Sequence, residues 1–387
     1  MPNSSRTLQL QAVARSSLQC SYLQRWRTSK LTRSCLTLVT LLLLCAPSLA
    51  HAADKLIFVT WDGFRWQELF AGADESLMNK DLGGVPEVDQ LKTAFWRDSP
   101  EQRRQILLPF VWNVMAKQGQ LFGDPSRQSP ATITNGLKFS YPGYNEMFVG
   151  YADAGIRSNA KIHNPNINVL EYIQRQPGFS GKVAAFATWD VIEFVLNRPR
   201  AGFPVVCGWT PVSDQPLTAG QQQVNEMVRD LPRIWRGNAF DIVTQTAARE
   251  HLAKHRPHVL YIGMGETDEW AHARRYDLYL ESAQRCDRYL NELWDWLQSQ
   301  PEYRGQTTLV LTTDHGRGTG RDWANHGANI VGAEFVWMGL LGPQIPALGV
   351  RENVAATQSQ IAATLAQLVG VDYATAFPQA AQPLRLK

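Results

Sequence analysis

The chain has 387 residues, 44% of them hydrophobic, with 38 Lys and Arg against 35 Asp and Glu. The first 52 residues contain six of these cations and no acid, which leaves 32 Lys and Arg against 35 Asp and Glu, a charge of about −3. This balance argues against a nucleic-acid partner. Two of the five Cys lie beyond residue 52, too few for a thiolate metal site, and the length suits one large α/β core.

Residues 1–52 have the pattern of a secretory signal peptide. An apolar run, Leu36–Leu44, precedes a small-x-small cleavage site at Ala50-His51-Ala52. Because the run is too short to span a bilayer, we expect cleavage after Ala52 and a periplasmic or secreted protein without a stable membrane anchor, with one domain over residues 53–387. A lipoprotein signal at Cys45 is disfavoured because Leu44 stands where a small residue is expected. The positive segment before the run consists of Arg25, Arg27, Lys30 and Arg33.

Four apolar, β-rich runs each lead into a polar or glycine-containing segment. They are near-continuous rather than alternating, which is typical of strands buried on both faces of a parallel sheet. Helical spacing lies between them, most clearly over Leu278–Leu297 and also over Gln102–Lys117 and Thr357–Val369. The alternation predicts an α/β fold with a doubly wound, mostly parallel sheet flanked by helices. The predicted strands are Leu56–Thr60, Val183–Thr188, Val259–Met264 and Thr308–Thr313.

One segment interrupts this pattern. Residues Asn197–Pro216 are rich in Pro and Gly and have no hydrophobic period. We expect a small cap or insertion here, around residues 197–238, that overhangs the site.

Three of the four predicted strands end in residues that bind hard divalent cations. In an open parallel sheet, ligands bind beyond the carboxyl ends of the strands. Carboxylates and imidazoles without thiolates suit zinc, or manganese where carboxylates dominate. The six candidate ligands are Asp62 after the first run, Asp268 and His272 after the third, and Asp314, His315 and His326 after the fourth.

A candidate nucleophile, Ser140, lies in the segment Lys138–Tyr144 among turn-forming residues. A serine hydroxyl is a poor nucleophile at its ordinary pKa, but coordination to a metal deprotonates it at neutral pH. Ser140 therefore serves as both a metal ligand and the nucleophile, and no separate base is required.

The order of these residues resembles the metal and nucleophile pattern of the alkaline phosphatase superfamily, in particular its nucleotide pyrophosphatase/phosphodiesterase branch. The resemblance runs from about Leu56 to Pro343. In that branch the nucleophile lies in a hydroxyl-aromatic-Pro motif that is followed by a Gly about ten residues later. Ser140-Tyr141-Pro142 and Gly150 match this motif, with Ser where Thr is more usual.

The resemblance also implies roles for individual residues. One metal ion would be held by Asp62, Asp314 and His315 with the Ser140 oxygen, and the other by Asp268, His272 and His326. Gly155-Ile156 followed by Asn159 matches the spacing of a family Asn that holds a non-bridging phosphate oxygen. The chain departs from the sulfatase pattern, since Tyr144 stands where the Cys/Ser-x-Pro-x-Arg motif requires Arg.

These residues predict a hydrolase of phosphate esters that uses two divalent cations. Ser140 would attack phosphorus in line, a phosphoseryl intermediate would form, and water would hydrolyse it. The substrate would be a small phosphorylated compound, either a monoester or a diester. Cationic side chains around the outer phosphate oxygens would favour a monoester, and the candidates are Arg157, Arg198, Arg317 and Arg321.

Three other functions remain open from the sequence. A phosphomutase-like enzyme or a phosphonate-cleaving enzyme would share the metal core and differ in the cap. A non-catalytic envelope protein would keep the fold and bind a phosphorylated ligand through its Trp-rich surface. None of the ligands is missing, nor is the nucleophile, which favours an enzyme.

Several other side chains have a functional and a structural interpretation. Trp61 and Trp270 each neighbour a candidate ligand, and we expect Trp61 to contact substrate. The pair His251 and His255 has the spacing of a zinc site, but it precedes the predicted strand Val259–Met264 and so lies at the opposite edge of the sheet. Cys207 and Cys286 either form a disulfide or, in the case of Cys286, leave a thiol in the core.

Overall fold

The computed structural model describes residues 55–387, so the predicted signal peptide lies outside the described residues. The chain forms eleven strands in this range. They are β1 (Lys55–Trp61), β2 (Gln120–Phe122), β3 (Ala131–Thr132), β4 (Val183–Ala187), β5 (Val205–Cys207), β6 (Val259–Met264), β7 (Thr307–Thr312), β8 (Phe335–Val336), β9 (Met338–Leu341), β10 (Gly349–Val350) and β11 (Ala356–Thr357).

Eight strands form one sheet in the order β10-β2-β9-β7-β1-β6-β4-β5. From β7 to β5 every neighbouring pair is parallel, and β9 runs antiparallel to β7 and β2. Strands β11, β3 and β8 form a small second sheet. All four strands predicted from the sequence are present, so the prediction of a mostly parallel α/β sheet is confirmed.

The central strands are buried on both faces. In β1, Ile57, Val59 and Trp61 pack into one hydrophobic core, whereas Leu56 and Phe58 pack into the core on the other side of the sheet. Successive side chains of a strand point to opposite faces, and here both faces are covered by helices. This is why the sequence of β1 reads as a continuous apolar run.

Helices cover the two faces. Those packed on the first face include Asp241–His255 and Tyr276–Ser299, and those on the second include Ser140–Val149 and Gln360–Leu368. The others are Trp66–Ala71, Val88–Phe95, Pro100–Leu107, Ala116–Gln118, Val169–Gln174, Ile192–Val195, Arg198–Ala201, Ala219–Asp230 and Glu266–His272, with a π-helical turn at Val111–Met115.

The structure differs from the predicted helices in two places. The helix predicted over Gln102–Lys117 is broken, because Pro109 restricts the preceding residue and Leu108 leaves the helical region, with φ −131° and ψ 65°. The helix predicted to begin at Thr357 begins at Gln360, since Thr357 belongs to the small sheet.

The prediction of a cap or insertion around residues 197–238 is corrected in part by the structure. Strand β5 lies in this segment and forms the edge of the main sheet, and the helix Ala219–Asp230 buries Val224 and Val228 in the core. These parts belong to the central fold, not to a cap. The sequence did not predict β5, because a three-residue strand gives no measurable period in a Pro- and Gly-rich sequence. The segment ends at Asn238, beside the candidate site.

Cys207 and Cys286 are both buried free thiols. They lie in the cores on opposite faces of the sheet, so the disulfide alternative is wrong for this pair and the core-thiol alternative holds. Within residues 55–387, no helix is both long enough and apolar enough to cross a membrane.

Candidate active site

The ends of three neighbouring strands, β7, β1 and β6, bring the six candidate metal ligands together with Ser140. Asp62 directly follows β1, Asp314 follows β7, and Asp268 lies in the helix Glu266–His272 that follows β6. Ser140 and all of the candidate ligands except Asp314 and His315 border a cavity of about 190 Å³. Its lining residues are Asp62, Ser140, Asn159, Trp189, Asn238, Gly265, Asp268, Glu269, His272 and His326.

His315 is at the centre of the first ligand group. Its Nε2 lies 3.4 Å from Asp62 Oδ1, 3.6 Å from Asp314 Oδ2 and 3.4 Å from Ser140 Oγ. The other ring nitrogen, Nδ1, donates to the carbonyl oxygen of Gly316 at 3.0 Å. A neutral imidazole that donates from Nδ1 has its lone pair on Nε2. That lone pair therefore faces Asp62, Asp314 and the Ser140 hydroxyl, with Asp268 Oδ1 slightly further away at 3.7 Å, as a metal ligand requires.

The second group surrounds Asp268. His272 Nε2 lies 3.3 Å from Asp268 Oδ2, and His326 Nε2 lies 3.8 Å from Asp268 Oδ1. The two Nε2 atoms are 3.0 Å apart. His326 Nδ1 lies 3.3 Å from the carbonyl oxygen of Lys138, to which it can donate. Burial and the neighbouring His315 lower the pKa of His326 to about 2, so this ring is neutral, as a ligand nitrogen must be.

The two carboxylates of the first group, Asp62 and Asp314, are buried with too few positive charges nearby to balance their own. Burial, and after it the charge of Asp268, raises the pKa of Asp62 well above its ordinary value, and burial together with Asp62 does the same to Asp314. Asp62 Oδ1 and Asp314 Oδ2 are buried and have no hydrogen-bond partner among the described residues. Buried charges are normally paired or coordinate a metal. The donor set and its unpaired oxygens therefore fit divalent cations.

Arg317 holds Asp268 in place. It is fully buried and donates from Nη2 to Asp268 Oδ1, from Nε to Gly63 O at 3.0 Å and from Nη1 to Ala324 O at 2.7 Å. Although burial alone would raise it, the Arg317 guanidinium and the adjacent imidazoles hold the pKa of Asp268 well below its ordinary value. Arg317 therefore pairs with a candidate ligand and does not line the cavity. It is among the cations that the sequence suggests could surround the outer phosphate oxygens, and the structure does not place it there.

Ser140 is the first residue of the helix Ser140–Val149. The partial positive charge of a helix N-terminus favours an anion at this place. The helix lies close to the end of β7, since a Cβ on Gly143 would be well inside van der Waals distance of the Asp314 carbonyl oxygen. Gln358 Nε2 donates to the carbonyl oxygens of Gly143 and Asp314, both at 2.9 Å. These contacts fix the hydroxyl relative to the metal ligands.

The sequence profile of the type I phosphodiesterase / nucleotide pyrophosphatase family matches residues 86–338. The chain belongs to this family. The matched range includes Ser140 and every candidate ligand except Asp62. No curated protein sequence gives a match.

Solved structures of phosphatases and related enzymes have the same fold. The alkaline phosphatase PafA gives a TM-score of 0.55 at 10% identity, covering 88% of this chain and 99% of PafA. The lipoteichoic acid synthase LtaP from Listeria monocytogenes gives 0.51 at 12%, covering 84% and 74%. A putative sulfatase from Bacteroides thetaiotaomicron gives 0.51 at 11%, covering 82% and 71%. This likeness confirms the alkaline phosphatase-like fold.

In this phosphodiesterase-family chain, Asn159 lies next to Ser140, the candidate nucleophile. Its Oδ1 accepts a hydrogen bond from the backbone N–H of Tyr141 at 2.9 Å, so its Nδ2 is left to donate into the cavity that it lines with Ser140. The neighbouring asparagines have other partners, because Asn164 bonds to Asn145 and Asn168 caps the helix Val169–Gln174. Asn159 is therefore the one placed beside Ser140.

The expectation that Trp61 contacts substrate is wrong. Trp61 is fully buried and packs against Phe64 and Trp337. Because side chains alternate along β1, Trp61 points to the face opposite Asp62, whose Oδ2 accepts a hydrogen bond from Tyr144 on the Ser140 helix at 3.0 Å. The tryptophan that lines the cavity is Trp189, which follows β4. No motif marks it, although its position at a strand end was a usable signal.

The histidine pair on the helix Asp241–His255 lies away from this site. The helix ends just before β6 begins, so the pair is near the amino ends of the strands. His255 Nε2 lies 2.5 Å from Asp214 Oδ2, and His251 is buried against Phe186. None of these residues borders the cavity.

Proposed function

We propose that this protein is an exported, metal-dependent phosphodiesterase that forms a covalent intermediate on Ser140. The observation that carries the proposal is the position of the Ser140 hydroxyl, at a helix N-terminus and 3.4 Å from the metal-facing nitrogen of His315. Membership of the phosphodiesterase family supports the reaction class.

Two divalent ions fit the site, and three carboxylates with three imidazoles favour zinc, with manganese as the alternative. One ion would be held by Asp62, Asp314, His315 and Ser140, and the other by Asp268, His272 and His326. When bound, they supply positive charge that lowers the pKa of the Ser140 hydroxyl and offsets the charge of the phosphate.

Two residues of the chain, Ser140 and Asn159, then act on the phosphate. Ser140 Oγ attacks phosphorus, an Oγ–P bond forms, and one alcohol leaves with the proton that Ser140 gives up. The seryl phosphodiester keeps the other ester group until water attacks it, which restores Ser140 and releases a phosphomonoester. Asn159 Nδ2 donates to an equatorial phosphate oxygen, where charge accumulates in the transition state.

The charge of the cavity favours a diester over a monoester. Among the described residues that line it, none is Lys or Arg, and Glu269 adds a carboxylate. Of the basic side chains outside the lining, Lys161 pairs with Asp190 and Arg198 with Glu193. A diester carries one negative charge, whereas a monoester carries about two near neutral pH. The second charge would meet no additional cation here and would face Glu269.

The test is hydrolysis of bis-p-nitrophenyl phosphate, p-nitrophenyl phosphate and p-nitrophenyl sulfate after chelation and reloading with zinc or manganese. We expect the diester to be preferred and Ser140→Ala to lose about 10⁴-fold or more in turnover, while the remote Ser299→Ala is unaffected. Enzyme that is acid-quenched during turnover of bis-p-nitrophenyl phosphate should yield a Ser140 peptide that carries the p-nitrophenyl phosphoryl group, detected by mass spectrometry. Full turnover by Ser140→Ala in metal-loaded protein would refute the covalent route, and saturable binding without product would indicate a binding protein.

Export is part of the same proposal. It is supported by the signal-peptide pattern of residues 1–52. Protein recovered from the cell envelope or the medium should begin at Ala53 by N-terminal sequencing. An unprocessed chain in the cytoplasm would contradict this assignment.

A further inference from the structure

The cavity contains one carboxylate that the reaction does not use. Glu269 follows Asp268 in the helix Glu266–His272 and borders the cavity with Ser140 and Asn159. The partners of Asp268 are Arg317 and the site imidazoles. Glu269 makes no ion pair with any of these groups.

No Lys, Arg or His within residues 55–387 forms an ion pair with Glu269. Its Oε1 accepts a hydrogen bond from Asn238 Nδ2, and Oε2 has no hydrogen-bond partner among the described residues. Buried or partly buried carboxylates are normally paired with a cation. A carboxylate that borders the substrate cavity and has one oxygen without a partner is available to a cationic group of the substrate.

The surroundings of Glu269 are fixed by the backbone. Ala239 N donates to Thr188 O at 2.9 Å and Asp190 N donates to Gly237 O at 2.8 Å, so the segment carrying Asn238 is paired with the segment carrying Trp189. Asn238 then holds Oε1 of the carboxylate. Glu269 and the ring of Trp189 border the same cavity without depending on a mobile loop.

We propose that the substrate is a phosphodiester in which one alcohol carries a primary ammonium group, bound by Glu269 and flanked by Trp189. This inference rests on the proposed phosphodiesterase function and names its substrate class. A carboxylate accepts charge-assisted hydrogen bonds from the N–H groups of a primary ammonium, and an aromatic ring attracts a cation. With a single ring there is no aromatic cage of the kind that selects quaternary ammonium. A primary ammonium, which donates hydrogen bonds, therefore fits better.

The size of the cavity limits the charged substituent. A volume of about 190 Å³ is below the roughly 300–1,000 Å³ usual for drug-sized ligands. The phosphate and a two-carbon arm with its ammonium fit such a space. A larger second ester group would extend past His272, which is exposed at the cavity mouth.

The experiment compares two diesters of the same shape, 2-aminoethyl p-nitrophenyl phosphate and its neutral isostere propyl p-nitrophenyl phosphate. For the wild-type enzyme we expect kcat/KM to be about 10–100-fold higher for the ammonium ester, the range that a charged hydrogen bond provides. In Glu269→Gln this ratio should fall toward one. The matched control Glu226→Gln, on the exposed face of the helix Ala219–Asp230, should keep the wild-type ratio.

The outcomes separate this inference from the proposed function. If both esters are cleaved at equal rates by the wild type, the ammonium assignment is overturned and the phosphodiesterase stands. A Glu269→Gln enzyme that slows both esters equally also overturns it, because Glu269 would then position the reaction and not the substituent. If neither ester nor bis-p-nitrophenyl phosphate is cleaved by metal-loaded enzyme, the proposed function fails with it. Replacing the ammonium by trimethylammonium should lower kcat/KM, and an increase would contradict the preference for N–H donors.

Discussion

Replacing Gly143 by Ala tests whether close packing of the Ser140 helix on the end of β7 determines activity. The added Cβ would lie less than 3.0 Å from the Asp314 carbonyl oxygen, whereas ordinary contact begins at 3.4 Å. Helix and strand end must therefore separate by up to about 1 Å. Overpacking of this kind costs about 1–3 kcal/mol, and Ala in place of Gly within a helix returns about 1 kcal/mol. The net loss of stability should be about 0–2 kcal/mol.

Activity should fall much more than stability. A displacement of about 1 Å at a catalytic group can cost on the order of 100-fold in rate, and the shift moves Ser140 relative to Asp314 and His315. The assay is kcat/KM for bis-p-nitrophenyl phosphate, alongside urea unfolding to measure the free energy. Gly220→Ala is the matched control, since its Cβ meets only the flexible end of Glu250 in a helix far from the site. A Gly143→Ala enzyme within about threefold of wild-type kcat/KM would refute the reasoning.

Three further substitutions test single contacts. Arg317→Met should cost metal-free protein about 3–5 kcal/mol in urea unfolding, because Asp268 loses the cation paired with it; an unchanged midpoint would contradict this. Burial lowers the pKa of His251 from 6.5 to about 4. Between these two pH values the unfolded state binds a proton at His251 that the folded state does not bind. The free energy of unfolding therefore decreases as the pH falls through this window. The loss should reach about 2 kcal/mol between pH 7 and pH 5, and His251→Phe should reduce this pH dependence in urea titrations by a similar amount. Trp61→Phe should cost about 1–3 kcal/mol and leave KM within about twofold, whereas a raised KM would restore Trp61 to the substrate pocket.

The candidate metal ligands could be selected from the sequence because most of them follow a strand with a strong local signal. Asp62 and Asp314 come one or two residues after runs that are apolar without interruption, and strand ends are where a parallel sheet gathers its ligands. The same rule misassigned Trp61, since proximity in sequence does not specify the face. Alternation along β1 would have put Trp61 opposite Asp62.

The proposed substrate side of the cavity was harder to predict, for a physical reason. Trp189, Asn238 and Glu269 come from three separate segments and form no motif. Asn238 lies in a segment with no periodicity, and its partner Glu269 lies 31 residues further along. Only the folded chain brings the two together.

The difference between the two sides follows from what fixes their positions. The ligands come from β7, β1 and β6, whose register is set by continuous parallel pairing up to the site, where Asp62 N still donates to Met264 O at 2.9 Å. The substrate side is held by two backbone hydrogen bonds between the segments around Trp189 and Asn238. Trp189 and Asn238 lie on a short pairing and Glu269 lies in the helix that follows β6, so replacing one of these side chains leaves the paired strands of the sheet unchanged. The arrangement therefore allows the substrate class to vary while the phosphoryl chemistry stays the same. We expect a substitution at Glu269 to change whether the enzyme prefers a cationic or a neutral substrate.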